Sequence, residues 1–252
     1  MSNKQSEEDL RLQLQRQNLS PSDHDFWAKV WHTPMWKQGE VSKPFEGNLA
    51  YAVENSGVSL EQFASQTALV PLCGDTEALD FLSSHFQRVI GVEFNDSVVN
   101  SVRDRFVRNG FVVASDSSND DESERVIVLE KNGKQVVLQR RDFFLPSRIE
   151  PGSVHFVYDR ASLVAIEPSR RDEYAALMKA SCAPGAVYFL ITIERANDPL
   201  RGPPFHVPKE VVDTVLASRF SLQHFRVDPA KRIDRMVELA WQNKHYVLRN
   251  DA

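Results

Sequence analysis

Short apolar runs alternate along this chain with segments whose apolar residues recur at helical spacing. Residues 67–72, 88–92 and 154–158 are apolar and rich in β-branched or aromatic side chains, which predicts buried strands. Between the first two runs, Leu79 and Leu82 lie three positions apart on one predicted helical face. Strands that alternate with helices form a largely parallel sheet with helices on both faces. The pattern therefore predicts an α/β domain whose ligands bind at the carboxyl ends of its strands.

Turn and cap residues divide this domain into elements. The dipeptide Asn132-Gly133 separates strand-like runs at 125–131 and 134–140, and it predicts a tight hairpin. Asn95 and Asp75 each precede a helical pattern, and side chains of this type predict helix N-caps.

Later segments complete the sheet and depart from the alternation. Residues 172–183 and 209–218 are predicted to be helices. The strand-like segments 220–227 and 236–248 have no helix between them, so they are predicted to pair antiparallel. The acidic segment 115–124 is predicted to be a solvent-exposed loop.

One strand–turn–helix–strand unit carries the first chemical signal. Gly74 closes the first strand, and Glu93 ends the next strand 19 residues later. This is about the distance at which nucleotide-binding α/β folds place an acid against ribose hydroxyls. Only one glycine is present, whereas a phosphate-binding turn is rich in glycine. Gly74 could therefore also belong to an ordinary turn that binds no ligand. A cofactor with ribose and adenine but no pyrophosphate, such as S-adenosylmethionine, fits this pattern better than a nicotinamide dinucleotide does.

The N-terminal region is rich in tryptophan. Trp27 and Trp31 share one face of a predicted helix, which a capping box at 22–25 precedes. Packing against a core accounts for these two, whereas Trp36 follows a proline in a polar segment and suggests an aromatic lid over a planar ligand. Residues 1–21 are predicted to be a disordered arm, and 22–252 a single domain that includes a helical lid at 22–57.

Bulk composition restricts the class of protein. The chain has 252 residues, of which 42% are apolar and 26% charged, and this is typical of a soluble globular protein. A net charge of −5 gives no general attraction to nucleic acid or to an anionic membrane. No apolar run is long enough to span a bilayer. Two cysteines form no disulfide framework, which favours a cytoplasmic setting, and the scattered histidines indicate no metal site.

Four motifs together carry a resemblance to a known family. They are Val-Pro-Leu-Cys-Gly at 70–74, Gly-Val-Glu at 91–93, Tyr-Asp-Arg-Ala-Ser-Leu-Val-Ala-Ile-Glu-Pro at 158–168, and Gly-Pro-Pro-Phe-His-Val-Pro at 202–208. In order and spacing they resemble the thiopurine S-methyltransferase family over most of the chain, from about Phe26 onward. The last two motifs are much more specific than a glycine turn.

The resemblance implies a Rossmann-like class I methyltransferase fold that uses S-adenosylmethionine. Its sheet would be mixed and seven-stranded, with an antiparallel C-terminal hairpin and the N-terminal helical lid. The resemblance also implies a set of residues that bind the cofactor, of which Arg160 would in addition be catalytic. This set comprises Trp27, Trp31, Leu72, Gly74, Glu93, Arg141, Asp142, Phe143 and Arg160. The adenine contact falls within the segment 141–143, and which of its residues makes it stays open.

Trp36, Pro204 and Phe205 would line the substrate pocket, by the same resemblance. The implied reaction is methyl transfer to the sulfur of an aromatic or heterocyclic thiol, catalysed by a monomer, and it leaves S-adenosylhomocysteine as the product. Three alternatives stay open at this point. The acceptor could be another thiol or a selenium or tellurium species, or the chain could be a nucleotide-dependent oxidoreductase or a non-catalytic binding protein.

Overall fold

In the computed structural model, the chain divides into two units, residues 1–44 and residues 45–252. The residues described are 26–27, 29, 45–118, 124–145, 149–195, 203–229, 231–232 and 240–251. In the first unit, Phe26, Trp27 and Lys29 are helical, and the Phe26 and Trp27 rings meet edge to face at 5.3 Å. The predicted arm at 1–21, the capping box at 22–25, Trp31 and Trp36 lie outside the described residues.

The second unit is built on one mixed sheet. Its described helices are α1 (Phe45–Ser56), α2 (Leu60–Phe63), α3 (Ala78–His85), α4 (Asp96–Arg108), α5 (Arg171–Ser181) and α6 (Lys209–Val215). Its described strands are β1 (Thr67–Val70), β2 (Arg88–Glu93), β3 (Val112–Ser118), β4 (Arg125–Lys131), β5 (Lys134–Arg140), β6 (Val154–Arg160), β7 (Cys182–Arg195), β8 (Ser221–Val227), β9 (Lys231–Arg232) and β10 (Ala240–Arg249).

The strand order is β3-β4-β5-β2-β1-β6-β7-β10-β8, and β9 pairs with β10 at the side of this path. The five central strands, β5-β2-β1-β6-β7, run parallel. At each end the added strands pair antiparallel. The order reverses between β1 and β6, and open α/β sheets bind ligands outside the carboxyl ends of strands at such a point.

Two apolar layers enclose the sheet. On one face, α1, α3 and α4 contribute Phe45, Leu79 and Phe106 to a cluster that also contains Tyr158 of β6. On the other face, Met178 of α5 and Val212 of α6 lie in a second cluster. Helix α1 packs on the sheet through its apolar face. Among the described residues, no helix is long and apolar enough to cross a bilayer.

The predicted α/β class is confirmed, together with several local signals. The hairpin pairs Lys131 with Lys134, and Asn132 and Gly133 both have positive φ, as a primed turn requires. The side chain of Asn95 accepts N–H bonds from residues 97 and 98 and so caps α4. The antiparallel pairing of the two C-terminal segments is confirmed as β8 and β10.

Three predictions about elements were wrong. The sheet of the described residues has ten strands rather than seven, because β3 and β4 extend it beyond β5 and the two-residue strand β9 pairs with β10. Residues 115–118 are not loop but part of β3, because they pair antiparallel with β4. Arg125 of β4 also binds Asp116, with Nε–Oδ1 and Nη2–Oδ2 distances of 2.7 and 2.6 Å. Asp75 does not cap α3, which begins after Glu77, and Thr76 Oγ1 accepts the N–H of Ala78 instead.

Candidate functional site

Glu93 is the central acid of the site, at the carboxyl end of β2. Its Oε2 accepts the N–H of Gly74 at 3.0 Å, and its Oε1 accepts the N–H of Asn95 at 2.7 Å. The side chain is only 7% exposed, and this burial raises the pKa of Glu93 while the backbone N–H groups oppose the rise. The predicted link between the glycine turn and the acid is therefore a direct hydrogen bond.

The turn after β1 brings its backbone close to this carboxylate. Leu72 has a φ of 43° and Gly74 a φ of 53°, so both lie in the left-handed region, and only glycine adopts it without steric cost. The N–H of Cys73 donates to the carbonyl of Val92 at 2.8 Å. A Cβ at Gly91 would lie 3.0 Å from Cys73 Sγ, so the absence of a side chain there lets the turn lie against β2. The turn is thus held as a backbone cradle beside Glu93.

The segment after β5, residues 141–145, lies at the same edge of the sheet, next to the end of β2. The N–H of Arg141 donates to the Glu93 carbonyl at 3.0 Å, and its guanidinium bonds the carbonyls of residues 143 and 145. Arg141 and Phe143 are buried, whereas Asp142 is half-buried and accepts the N–H of Phe144 at 2.9 Å. Of the three candidates for the adenine contact, Asp142 has the most accessible side chain.

A buried carboxylate that the sequence analysis did not identify lies at the end of β6. Asp159 is fully buried, and its Oδ2 accepts the hydroxyls of Tyr174 at 2.8 Å and Tyr188 at 2.6 Å. Its Oδ1 accepts the N–H of Leu163 at 3.1 Å. Burial raises the pKa of Asp159, and the two tyrosine hydroxyls oppose the rise. Tyr188 lies within the apolar run of β7, and this could have indicated a buried acceptor nearby, because a buried hydroxyl needs a hydrogen-bond partner.

This network also fixes the loop that carries the glycine turn. Ser162 Oγ donates to the carbonyl of Pro71 at 2.6 Å, so the turn after β6 is joined to the turn after β1. Arg160, half-buried, follows Asp159 and lies on the opposite face of the strand, with Tyr158. The two hydroxyls that donate to Asp159 belong to tyrosines on the other side of the sheet from Arg160.

The Pro-Pro-Phe segment reaches the same edge of the sheet. The N–H of Phe205 donates to the carbonyl of Val164 at 2.6 Å, and the N–H of Val207 donates to Ile193 of β7 at 2.9 Å. Pro204 is buried, and the Phe205 side chain is half-buried. The structure therefore brings the two proposed pocket residues to the carboxyl ends of β6 and β7. The position of Trp27 relative to this edge is not defined, because that residue belongs to the other unit.

The donors and acceptors at this edge suit S-adenosylmethionine. Each oxygen of Glu93 accepts one backbone N–H and keeps acceptor capacity for a ribose hydroxyl. The turn at 72–74 presents backbone without bulky side chains at Gly74. Within the described residues there is no cluster of three His, Cys, Asp or Glu side chains that would hold a metal ion.

Comparison with known proteins identifies the family. The family model for thiopurine S-methyltransferase matches residues 22–249. The chain is 29% identical to the thiopurine S-methyltransferase of Pseudomonas paraeruginosa over 181 residues, which is 72% of this chain and 78% of that protein. It is 30% identical to the enzyme of the same name from Shewanella loihica over 164 residues, which is 65% of this chain and 71% of that protein.

A solved structure shares the fold at low sequence identity. The N-methyltransferase NodS from Bradyrhizobium japonicum superimposes with a TM-score of 0.56 at 14% identity, covering 84% of this chain and 99% of that chain. This likeness shows a methyltransferase fold, and the match over residues 22–249 shows the family. The chain belongs to the thiopurine S-methyltransferase family and is a methyltransferase that uses S-adenosylmethionine.

Proposed function

We propose that the chain transfers the methyl group of S-adenosylmethionine to the sulfur of an aromatic or heterocyclic thiol such as a thiopurine. The observation that carries this proposal is the family match over residues 22–249. The hydrogen-bonded pair of Gly74 and Glu93 at the carboxyl edge supports it, since that pair provides a buried acceptor for ribose hydroxyls.

Each proposed site residue has a distinct role. Glu93 and the turn at Leu72 and Gly74 would hold the ribose and the methionine part of the cofactor. Asp142 would contact the adenine, because its side chain is more accessible than those of its two neighbours. By the resemblance alone, Trp27 and Trp31 would contribute to cofactor binding and Trp36 to substrate binding.

The bound cofactor supplies an electrophilic methyl group on a positively charged sulfur. The acceptor needs a thiolate, and Arg160 at the end of β6 would lower the pKa of the acceptor thiol through its positive charge. The thiolate electron pair would form the new sulfur–carbon bond while the methyl–sulfonium bond breaks and leaves its electron pair on the cofactor sulfur, so both reacting sulfurs would become neutral. A pocket walled by Pro204 and Phe205 excludes water and so favours this loss of charge. Correct alignment of the two reactants would lower the activation free energy further, by up to about 7–11 kcal/mol for well-oriented reactants.

An acceptor screen tests this assignment. The protein and S-adenosylmethionine are incubated separately with a heteroaromatic thiol, an aliphatic thiol, and selenium or tellurium oxyanions, and S-adenosylhomocysteine is quantified. We expect the highest kcat/KM with the heteroaromatic thiol. Faster turnover of a metalloid species than of any thiol would overturn the proposed acceptor. Binding of NADH in place of S-adenosylhomocysteine, measured by calorimetry, would contradict the cofactor site itself.

A further inference from the structure

Arg171 is a buried cation at the start of α5, directly beneath the Pro-Pro-Phe segment. Its side chain is 4% exposed, and its Nε donates to the carbonyl of Ile166 at 3.2 Å. The guanidinium carbon lies 5.7 Å from the centre of the Phe205 ring. Its Nη2 is buried and has no hydrogen-bond partner in the part of the chain that the structure describes. One donor of a buried guanidinium is therefore unused.

The acids nearest to Arg171 in sequence are paired with other arginines. Asp172 binds Arg219 at 3.1 Å, and Glu173 binds Arg170 at 3.1 Å. Burial lowers the pKa of Arg171, and within the described part of the chain no carboxylate forms an ion pair with it. The positive end of the helix dipole also disfavours a cation in the first turn of α5. The bond to Ile166 and the Phe205 ring stabilise the guanidinium, but a buried ion without a carboxylate partner is costly for folding.

The position of the charge links it to the acceptor side of the edge. Phe205 is held to the turn after β6 by its bond to Val164, and Ile166 in the same turn accepts the bond from Arg171. The guanidinium thus lies behind the aromatic wall of the proposed pocket. We propose that Arg171 determines specificity, so that the pocket prefers aromatic thiols that carry an anionic group such as a carboxylate. This inference rests on the proposed thiol methyltransferase function.

A pair of matched acceptors measures this preference. The substrates are 2-mercaptobenzoate and the uncharged 2-mercaptobenzamide, and kcat/KM is compared for wild type and Arg171→Met. In the variant, the preference for the carboxylate should fall by about tenfold or more, because a charge near a low-dielectric cleft is weakly screened. Activity with the amide should change much less. Arg171→Lys, which keeps the charge, should retain most of the preference.

Arg170→Met is the matched control. This neighbouring guanidinium pairs with Glu173 and lies 3.5 Å from the centre of the Phe144 ring, so its loss should leave the preference unchanged. An equal loss with both thiols in Arg171→Met, accompanied by a lower thermal midpoint, would show a structural role and overturn the inference. So would an unchanged preference in a fully folded variant.

A binding measurement separates this inference from the proposed function. Calorimetry with 2-(methylsulfanyl)benzoate, in the presence of S-adenosylhomocysteine, needs no turnover. If wild type methylates no thiol but binds this anion about tenfold more tightly than Arg171→Met does, the proposed function fails while the anion preference stands. Equal binding by both proteins would overturn the role of Arg171 whatever the activity.

Discussion

Replacing Glu93 with alanine tests the cofactor site at its best-defined point. The carboxylate accepts the N–H groups of Gly74 and Asn95 at 3.0 and 2.7 Å, and we propose that it also accepts the ribose hydroxyls. A hydrogen bond to a charged acceptor contributes about 1.5–3 kcal/mol. Two such bonds, partly replaced by water in the variant, correspond to about 3 kcal/mol, or roughly a hundredfold in affinity.

The assay is calorimetric titration with S-adenosylhomocysteine. Glu93→Ala also leaves two backbone N–H groups without their acceptor, so its thermal midpoint should fall and the titration is run well below it. Glu93→Gln keeps one acceptor oxygen but loses the charge, and it should lie between wild type and the alanine variant. Asp96→Ala is the matched control, because this neighbouring acid has a 52% exposed side chain. Unchanged affinity in folded Glu93→Ala would contradict the proposed binding of the ribose hydroxyls by Glu93.

Three further predictions address the opposite faces of β6 and the buried thiols. Arg160→Lys keeps the charge but loses the planar guanidinium, so turnover of a heteroaromatic thiol should fall, by about tenfold for each 1.4 kcal/mol of transition-state stabilisation lost. The thermal midpoint should change little. Early melting with full turnover per folded molecule would indicate a structural role instead. Burial raises the pKa of Asp159 above its ordinary value of 3.8, so the stability that this carboxyl contributes is complete at low pH and is lost as pH rises through the folded pKa. Asp159→Asn should therefore destabilise the protein most near about pH 4 and less near about pH 8, and denaturant unfolding that showed the reverse trend would contradict this sign. Burial raises the pKa of Cys182 to about 12, so a disulfide reagent should label it only after unfolding, and rapid labelling of the native protein would be inconsistent with this burial.

Sequence predicted the fold best where the determining contacts are local. Asn132 and Gly133 form their turn from their own backbone preferences, and Asn95 caps the residues that directly follow it. The strand at Val112–Ser118 was missed because it is defined by its antiparallel pairing with β4, and the Asp116 carboxylate is bound by Arg125 of that strand. A run of acids by itself resembles a solvated loop, and only the partner strand changes that interpretation.

The same distinction applies to the site. The link between Gly74 and Glu93 follows from a spacing that the fold imposes, and the structure confirms their contact. Asp159 was not predicted as a buried acceptor, because its partners Tyr174 and Tyr188 lie 15 and 29 residues further along the chain. Tertiary packing brings these hydroxyls together. A tyrosine in the apolar run of β7 indicates that a buried hydroxyl needs a partner, but it does not indicate which residue provides it.

Methyl transfer to the sulfur of a heterocyclic thiol is tested most directly by locating the transferred methyl group. Wild-type protein is incubated with a 6-thiopurine and S-adenosylmethionine whose methyl group is deuterated, and the product is analysed by mass spectrometry and NMR. We expect one labelled methyl group on the exocyclic sulfur, formed with one equivalent of S-adenosylhomocysteine. A labelled methyl on a ring nitrogen, or no labelled product from folded protein that binds the cofactor, would contradict this expectation.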